Sequence, residues 1–172
     1  MTPEQQRLIL SLVKVPGRPN STTPEEVLRA FGCKDGVKLA AELLNDAVDR
    51  QDGDEVELSL ILSFVFGVSM AQFDALVRLI PEDWHWSHED AVSALEELNT
   101  PRSVDALFQA TQWIPSHLAW DESRSLAVKA IWALGKLPGS DADAALVRLL
   151  DSRDKILQEE AQRQLRRRKA QP

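Results

Sequence analysis

The chain has 172 residues, of which 27 are acidic and 20 basic, so its formal net charge is −7. Five of the bases lie close together near the C-terminus, and the rest of the chain is more acidic still, which disfavours nucleic acid and favours a basic protein as partner. A single cysteine excludes an internal disulfide and a cysteine-based metal site.

Alanine and leucine dominate the apolar residues, tyrosine is absent, and alternating patterns of β-branched residues are missing. We therefore expect an all-α fold. The first residues show no basic start followed by an apolar signal core, and no segment is long and apolar enough to cross a bilayer. These features predict a soluble, cytoplasmic protein with no membrane partner.

Four predicted helix stops recur along the chain, each a hydrophobic residue followed by glycine or asparagine. The stop residues are Gly32, Gly67, Asn99 and Gly135, at spacings of 35, 32 and 36 residues. Glycine and asparagine tolerate the left-handed conformation that ends a helix, so the recurrence predicts a repeated helix-turn-helix. We expect one domain, residues 1–172, folded as an α-solenoid of about four and a half repeats.

In chain order, an N-terminal cap and loop (1–20) precede the helical pairs, and a capping helix and tail (153–172) follow them. Thr23 before Pro24 predicts a capped start for the first pair, and Ser87 is the expected cap of the third. The predicted helices are residues 3–13, 24–31, 37–50, 55–66, 71–80, 88–98, 102–113, 122–134 and 141–150. The helix at 55–66 is apolar nearly all round, which predicts a central, buried position.

The second helices of the pairs share a motif, because Ala75-Leu76-Val77-Arg78-Leu79 recurs identically at residues 145–149. Matched polar positions would form a ladder on the concave face, where solenoids commonly bind partners. The ladder comprises Glu42, Arg78, Gln109 and Arg148, accompanied by Lys38, Asp74 and Asp105. A solvated polar face with charge pairs between helices is the alternative interpretation.

Three segments, residues 94–98, 126–135 and 161–165, alternate small and large side chains and resemble the first helix of HEAT repeats. The resemblance covers roughly residues 55 to 168. Residues 104–108, 121–122 and 129–135 further resemble small bacterial HEAT-like proteins, some of which are similar to immunity proteins against polymorphic toxins. The resemblance implies a repeat scaffold that binds another protein, with a toxin domain as one such partner.

The loops that join a second helix to the next first helix would lie along one edge of the solenoid, and they are rich in tryptophan and acids. They contain Asp49, Asp52, Asp54, Glu55, Glu82, Asp83, Trp84, His85, Trp86, Trp113, His117, Trp120, Asp121, Glu122, Asp151 and Asp154. Such a mixture is typical of a binding surface for a basic partner. Alternatively, the acids cap helices and the tryptophans fill gaps between neighbouring pairs.

Other candidate sites have weaker support. His85 and His88 lie near Glu89 and Asp90, but the chain lacks the spacing of histidines on one helix that a zinc enzyme needs, so we expect no metal and no cofactor. No nucleophile elbow or phosphate loop appears, which gives catalysis no support. The basic run at residues 166–169 is typical of a helix end with a frayed tail.

The leading hypothesis is a non-catalytic, HEAT-like protein that binds a basic protein, as an immunity protein that occludes a bacterial toxin. Its predicted binding residues are Trp84, Trp86, Trp113, Trp120, Asp121, Glu122, Asp74, Arg78, Asp105, Gln109 and Arg148. The alternative is a scaffold or regulatory subunit of a larger assembly. HEAT-like enzymes such as DNA glycosylases and phycobilin lyases are a further alternative, although the acidic body disfavours DNA binding.

Overall fold

A computed structural model describes residues 1–14, 16–17 and 22–170. Over those ranges the chain forms helices and loops without a strand, which confirms the predicted all-α, solenoid class. The ten helices of the described residues are α1 (Pro3–Leu10), α2 (Pro24–Ala30), α3 (Gly36–Arg50), α4 (Gly53–Phe66), α5 (Phe73–Leu79), α6 (His88–Leu98), α7 (Val104–Gln112), α8 (Ser125–Lys136), α9 (Ser140–Leu149) and α10 (Lys155–Ala170).

The chain divides into two compact units, Met1–Ala75 and Leu76–Pro172. The organisation as a single domain stays a prediction. Within the predicted N-terminal cap and loop, α1 is shorter than expected, and residues 15 and 18–20 lie outside the described residues. Residues 171–172 of the predicted tail also lie outside them.

The first unit is built around α4, whose Leu58, Leu60 and Leu62 are buried. The partner with which α3 packs most extensively is α4, and not α2 as the predicted pairing implied, because α4 offers the larger apolar surface. The helix α1 also packs on α4. The predicted buried position of α4 holds for the turns that contain Leu58, Leu60 and Leu62, but Phe64 and Val65 at the end of the helix are exposed.

Most helix ends follow the local sequence. Thr23 caps α2 by a capping box with Glu26, as predicted. The stops Gly32, Gly67 and Asn99 have positive φ angles of 65°, 111° and 46°. The prediction at the fourth stop is wrong, because Gly135 lies inside α8, which continues to Lys136.

Residue 135 is a glycine because α8 and α10 approach each other closely there, and not because the chain turns. A Cβ added at this position would lie 2.4 Å from Oε1 of Gln164 on α10. Only glycine leaves room for the buried Gln164 side chain there. The helix α8 ends instead at Lys136, and its C-cap Leu137 immediately precedes Pro138.

The second unit packs around α8, which contacts α6, α7, α9 and α10. Its buried face contributes Ile131 and Leu134 to the core, together with the buried alanines Ala127, Ala130 and Ala133. The predicted start of this helix at residue 122 is wrong by three residues. Arg124 has a left-handed conformation (φ 56°), and α8 begins at Ser125.

The basic run near the C-terminus belongs to α10, whose last described residue is Ala170. Arg168 lies against the end of α8, where its guanidinium donates hydrogen bonds to the carbonyls of Gly135 (3.2 Å) and Leu137. Its Nε also donates to Oδ1 of Asp143 at 2.6 Å. This arginine therefore stabilises the C-terminus of another helix, because its positive charge offsets unpaired carbonyls there.

Candidate functional site

Two loops of the second unit carry the four tryptophans of the predicted binding surface. They are the α5–α6 loop (residues 80–87) and the α7–α8 loop (residues 113–124), and we refer to them together as the paired loops. They contact each other directly, as the repeat register predicts for neighbouring loops on one edge. A third loop is tied to them, because Arg124 donates to Asp154 at 2.5 Å.

Hydrogen bonds fix the paired loops against each other. The indole Nε1 of Trp113 donates to the carbonyl oxygen of Ile80 at 3.0 Å. The backbone amide of Ser116 donates to Oδ1 of Asp83 at 2.8 Å, and its hydroxyl donates to Oδ2. These bonds hold the pKa of the Asp83 carboxyl below its usual range. The carboxylate therefore stays ionised and bonded through the neutral and mildly acidic range.

All three histidines of the chain pack together where these loops meet, with His85 and His117 in the loops and His88 at the start of α6. The ring centroids of His85 and His88 are 4.1 Å apart, and those of His88 and His117 are 5.1 Å apart. Trp86 stacks on His117, with the two ring centroids 6.0 Å apart and an interplanar angle of 17°. We call His85, His88 and His117 the histidine stack.

Two half-buried tryptophans enclose the stack from the side. Trp84 meets His85 edge-on at 5.0 Å, and Trp113 meets His88 edge-on at 5.6 Å. The indole nitrogen of Trp84 donates to the carboxylate of Glu82 at 3.0 Å. Trp84 and Trp113 therefore take the gap-filling role that was the alternative interpretation for the tryptophans.

Backbone hydrogen bonds define the protonation state of the first two histidines. His85 donates from Nε2 to the carbonyl of Leu79 at 2.8 Å, and its Nδ1 accepts from the amide of Ser87 at 3.1 Å. His88 donates from Nε2 to the carbonyl of Glu82 at 2.7 Å. Burial lowers the pKa of His85 and lowers that of His88 to about 4, so both rings are neutral at pH 7.

Trp86 and Trp120 differ from the other two tryptophans because they are 81 % and 78 % exposed. Both are nevertheless anchored to His117, since Trp86 stacks on its ring and the indole nitrogen of Trp120 donates to its carbonyl at 2.8 Å. Ile114 on the same loop is also exposed. Two large aromatic side chains are thus held in place with most of their apolar area in water.

The predicted acids near these tryptophans have different roles. Asp121 stabilises the start of α8, where it accepts from the amides of Ser123 (3.0 Å) and Ser125 (2.6 Å). Bonds from these two serines lower the pKa of Asp121 to about 2. Glu122 is exposed on the same loop. Ser87 occupies the predicted cap position of α6, but its side chain makes no capping bond.

The sequence segment that contains most of the paired loops is strongly acidic. Residues 81–123 contain nine acids and one base, Arg102. The nine acids are Glu82, Asp83, Glu89, Asp90, Glu96, Glu97, Asp105, Asp121 and Glu122. Some are paired with bases of α8, as in the contacts of Glu89 with Lys129 and of Glu96 with Lys136. The paired loops themselves bring only Arg124 as a strong base, and it binds Asp154.

The predicted polar ladder is exposed but is distributed over both units. Asp74 lies in the first unit, whereas Arg78, Asp105, Gln109 and Arg148 lie in the second. The guanidinium of Arg148 lies 4.1 Å from the ring centroid of Phe108, beside a shallow groove of about 230 Å³ that Asp105 also lines. Lys38 and Glu42 pair along α3 at 3.7 Å. The ladder as a binding surface stays a prediction.

Acids on the other predicted loops mainly stabilise helices. Asp52 caps α4 by accepting from the amide of Glu55 at 3.0 Å. Glu55 is buried and accepts from Arg50 at 2.5 Å. Asp154 accepts from the amide of Ile156 at the start of α10. The contacts of Asp52 and Asp154 match the capping role that was the alternative interpretation for the acids, whereas Glu55 forms an ion pair.

Two features are absent from the described part of the chain. None of its helices combines the length and apolarity that crossing a bilayer requires. Within the same ranges, no three histidine, cysteine or acidic side chains are arranged as a metal site.

Sequence reasoning missed the histidine stack. A signal was present, because His117 follows His85 by 32 residues, which is one of the repeat spacings. The hydrogen bonds from Trp113 to Ile80 and from Ser116 to Asp83 each join residues 33 positions apart. Residues one repeat apart in neighbouring loops are therefore the pairs that meet here.

Comparison with known proteins identifies a repeat type. Residues 126–152 match the family model of the PBS lyase HEAT-like repeat. The matched segment includes nearly all of α8 and all of α9, which is one helical pair. No curated protein and no solved structure matches the chain. The match supports a HEAT-like repeat protein, and the similarity to immunity proteins stays a prediction.

Proposed function

We propose that this chain is a non-catalytic protein-binding module whose paired loops bind a basic surface of another protein. In the finer form of the proposal, the chain is a cytoplasmic immunity protein and its partner is a toxin domain that it neutralises by occlusion. The match to a PBS lyase HEAT-like repeat covers one helical pair, so it supports the scaffold and says nothing for lyase chemistry.

The observation that carries the proposal is the exposure of Trp86 and Trp120 on a fixed support. A tryptophan side chain buries about 150–250 Å² when covered, which corresponds to about 4–6 kcal/mol of gross hydrophobic free energy. Because both indoles are already held by His117, little conformational entropy is lost when a partner covers them. Preorganised aromatic residues of this kind are typical hot spots of interfaces.

The charge around the loops supports a basic partner. An excess of acids at residues 81–123 accelerates the approach of a positive surface and repels a nucleic-acid backbone. Glu122, exposed two residues from Trp120, is placed to meet such a surface. The tryptophans would supply buried area at the centre of the contact, and the acids its specificity at the rim.

The test is affinity capture of the partner from the native host, followed by measured binding of the identified protein to single and double alanine variants of Trp86 and Trp120. We expect each single variant to weaken binding at least tenfold, as for a hot-spot residue. Val147→Ala is the matched control, since Val147 is an exposed apolar residue on α9. Unchanged affinity in the double variant would reject the paired loops as the binding surface.

A further experiment separates the immunity function from a scaffold. The captured partner is expressed alone in a bacterial host and then together with the wild-type chain or the Trp86→Ala, Trp120→Ala double variant. An immunity protein restores growth that the partner suppresses, and the double variant does not. A partner that is harmless when expressed alone would contradict the immunity function and leave the binding surface standing.

A further inference from the structure

The histidine stack has an unusual feature, because two of its nitrogen atoms are buried without a hydrogen-bond partner. They are Nδ1 of His88 and Nδ1 of His117, on rings whose centroids are 5.1 Å apart. His88 is fully buried. Buried polar atoms normally have partners, so an unpaired nitrogen on each of two adjacent rings requires an explanation.

The stack is compatible only with neutral rings. His85 uses Nδ1 to accept from an amide and Nε2 to donate to a carbonyl, so it has no free position for a second proton. A proton on Nδ1 of His88 would be buried, without an acceptor, beside the rings of His85 and His117. Charging His85 or His88 therefore costs desolvation and places a positive charge beside the neighbouring rings of the stack.

The charged groups around the stack only partly offset this cost. On the α5–α6 loop, Glu82 and Asp83 favour protonation, but Asp83 is bonded to Ser116 and Glu82 to Trp84. On α6, Glu89 is bonded to Ser125 and Lys129 of α8. On the α7–α8 loop, Asp121 binds Ser123 and Ser125, and Arg124 binds Asp154. Burial has the largest effect on both His85 and His88.

We propose that the histidine stack is an acid-sensitive support for the paired loops, which stay fixed while His85 and His88 are neutral and separate when these two rings are protonated. Because Trp86 and Trp120 are both anchored to His117, protonation would disorder the exposed indoles. The regulation of partner binding by the stack rests on the proposed function. The opening of the loops in acid does not depend on it.

The direction of the effect follows from linkage. Histidine in opened loops has its ordinary pKa of about 6.5, whereas His88 in the closed loops has a pKa of about 4. The closed form is therefore fully favoured above pH 6.5 and loses its advantage as the pH falls from 6.5 towards 4. From His88 alone, the ratio of open to closed loops rises about 20-fold between pH 7 and pH 5. His85 changes the ratio in the same direction.

The experiment needs no partner. The indole N–H signal of Trp113 reports its bond to Ile80, and histidine ring signals report each pKa, so both are followed by NMR between pH 8 and pH 4. We expect the indole signal to shift towards that of an exposed tryptophan below pH 6.5. His88→Gln, which keeps a donor near the Nε2 position and cannot titrate, and His117→Asn should move or abolish this transition. Asp151→Asn, on another loop, is the control and should leave it unchanged.

Three results would overturn the proposal: an indole signal that is constant to pH 4, an unchanged transition in both histidine variants, or a measured His88 pKa at or above 6.5. If a variant fails to fold, the wild-type titration alone decides. A clear loop transition together with Trp86-independent binding would refute the proposed function and leave the acid-sensitive support intact.

Discussion

The indole of Trp113 and the carbonyl of Ile80, 33 residues apart in the chain, are joined by a hydrogen bond of 3.0 Å. Ile80 is fully buried just after α5, and Trp113 immediately follows α7. This bond links the first residue of one of the paired loops to the first residue of the other. The geometry of the candidate surface therefore depends on a residue that does not itself face the solvent.

The first prediction concerns this bond. Trp113→Phe keeps an aromatic ring against His88 but leaves the Ile80 carbonyl unpaired, so we expect the free energy of unfolding to fall by about 1–3 kcal/mol. Urea unfolding followed by circular dichroism measures the change. Trp120→Phe is the control, because that indole bond is exposed, and a change there as large as that of Trp113→Phe would contradict the assignment.

The second prediction concerns the contact between α8 and α10. Alanine normally stabilises a helix interior relative to glycine, but a Cβ at residue 135 would overlap Gln164, so we expect Gly135→Ala to destabilise the fold by about 1–3 kcal/mol. Gln164→Ser should remove the overlap. A double-mutant cycle measured by urea unfolding tests the coupling, and additive effects of the two substitutions would refute it.

The third prediction concerns Arg168. Arg168→Met removes the hydrogen bonds to Asp143 and to the carbonyls at the end of α8, so we expect a loss of about 2–3 kcal/mol in the free energy of unfolding. Thermal unfolding of Arg166→Met supplies the comparison, since Arg166 is an exposed neighbour on the same helix. Equal stability of the two variants would show that the position of Arg168 against α8 contributes nothing.

The fourth prediction concerns steering of the partner. If the acids around the paired loops accelerate association, the association rate constant falls as salt rises, and Glu122→Lys lowers it several-fold with little change in the dissociation rate. Surface plasmon resonance with the captured partner measures both rates. Glu159→Lys introduces the same charge change at an exposed position of α10. An equal fall in the association rate constant of that variant would show that the net charge of the protein, and not the surface around the paired loops, steers the partner.

Local sequence predicted much of the fold because helix boundaries depend on nearby residues. Pro24 after Thr23 and the positive φ at Gly32, Gly67 and Asn99 were all foreseeable, since each effect acts within one turn. Gly135 misled the same reasoning, because its role depends on Gln164 of another helix. The start of α8 was misplaced for a related reason, since an exposed loop centred on Asp121 replaces the expected first turn.

The candidate site was predicted only in outline. The pattern singled out loops rich in tryptophan and acid as a binding surface, which stays a prediction, and it treated Trp84, Trp86, Trp113 and Trp120 alike. The structure separates them, because the first and third are half-buried against histidines and the other two are largely exposed. No property of a single tryptophan in the sequence distinguishes these cases, since exposure depends on what packs beside it.

The sequence alone determined that this protein is a run of helices with a repeating register, because helix periodicity and helix stops are local and recur at a nearly constant spacing. Only the tertiary structure decided which side chains of neighbouring repeats meet. It brought His85, His88 and His117 into one stack and left Trp86 in water. The physical reason is that burial and hydrogen bonding across repeats depend on how the helices pack. Residues one repeat apart in the sequence come into contact only once the chain has folded.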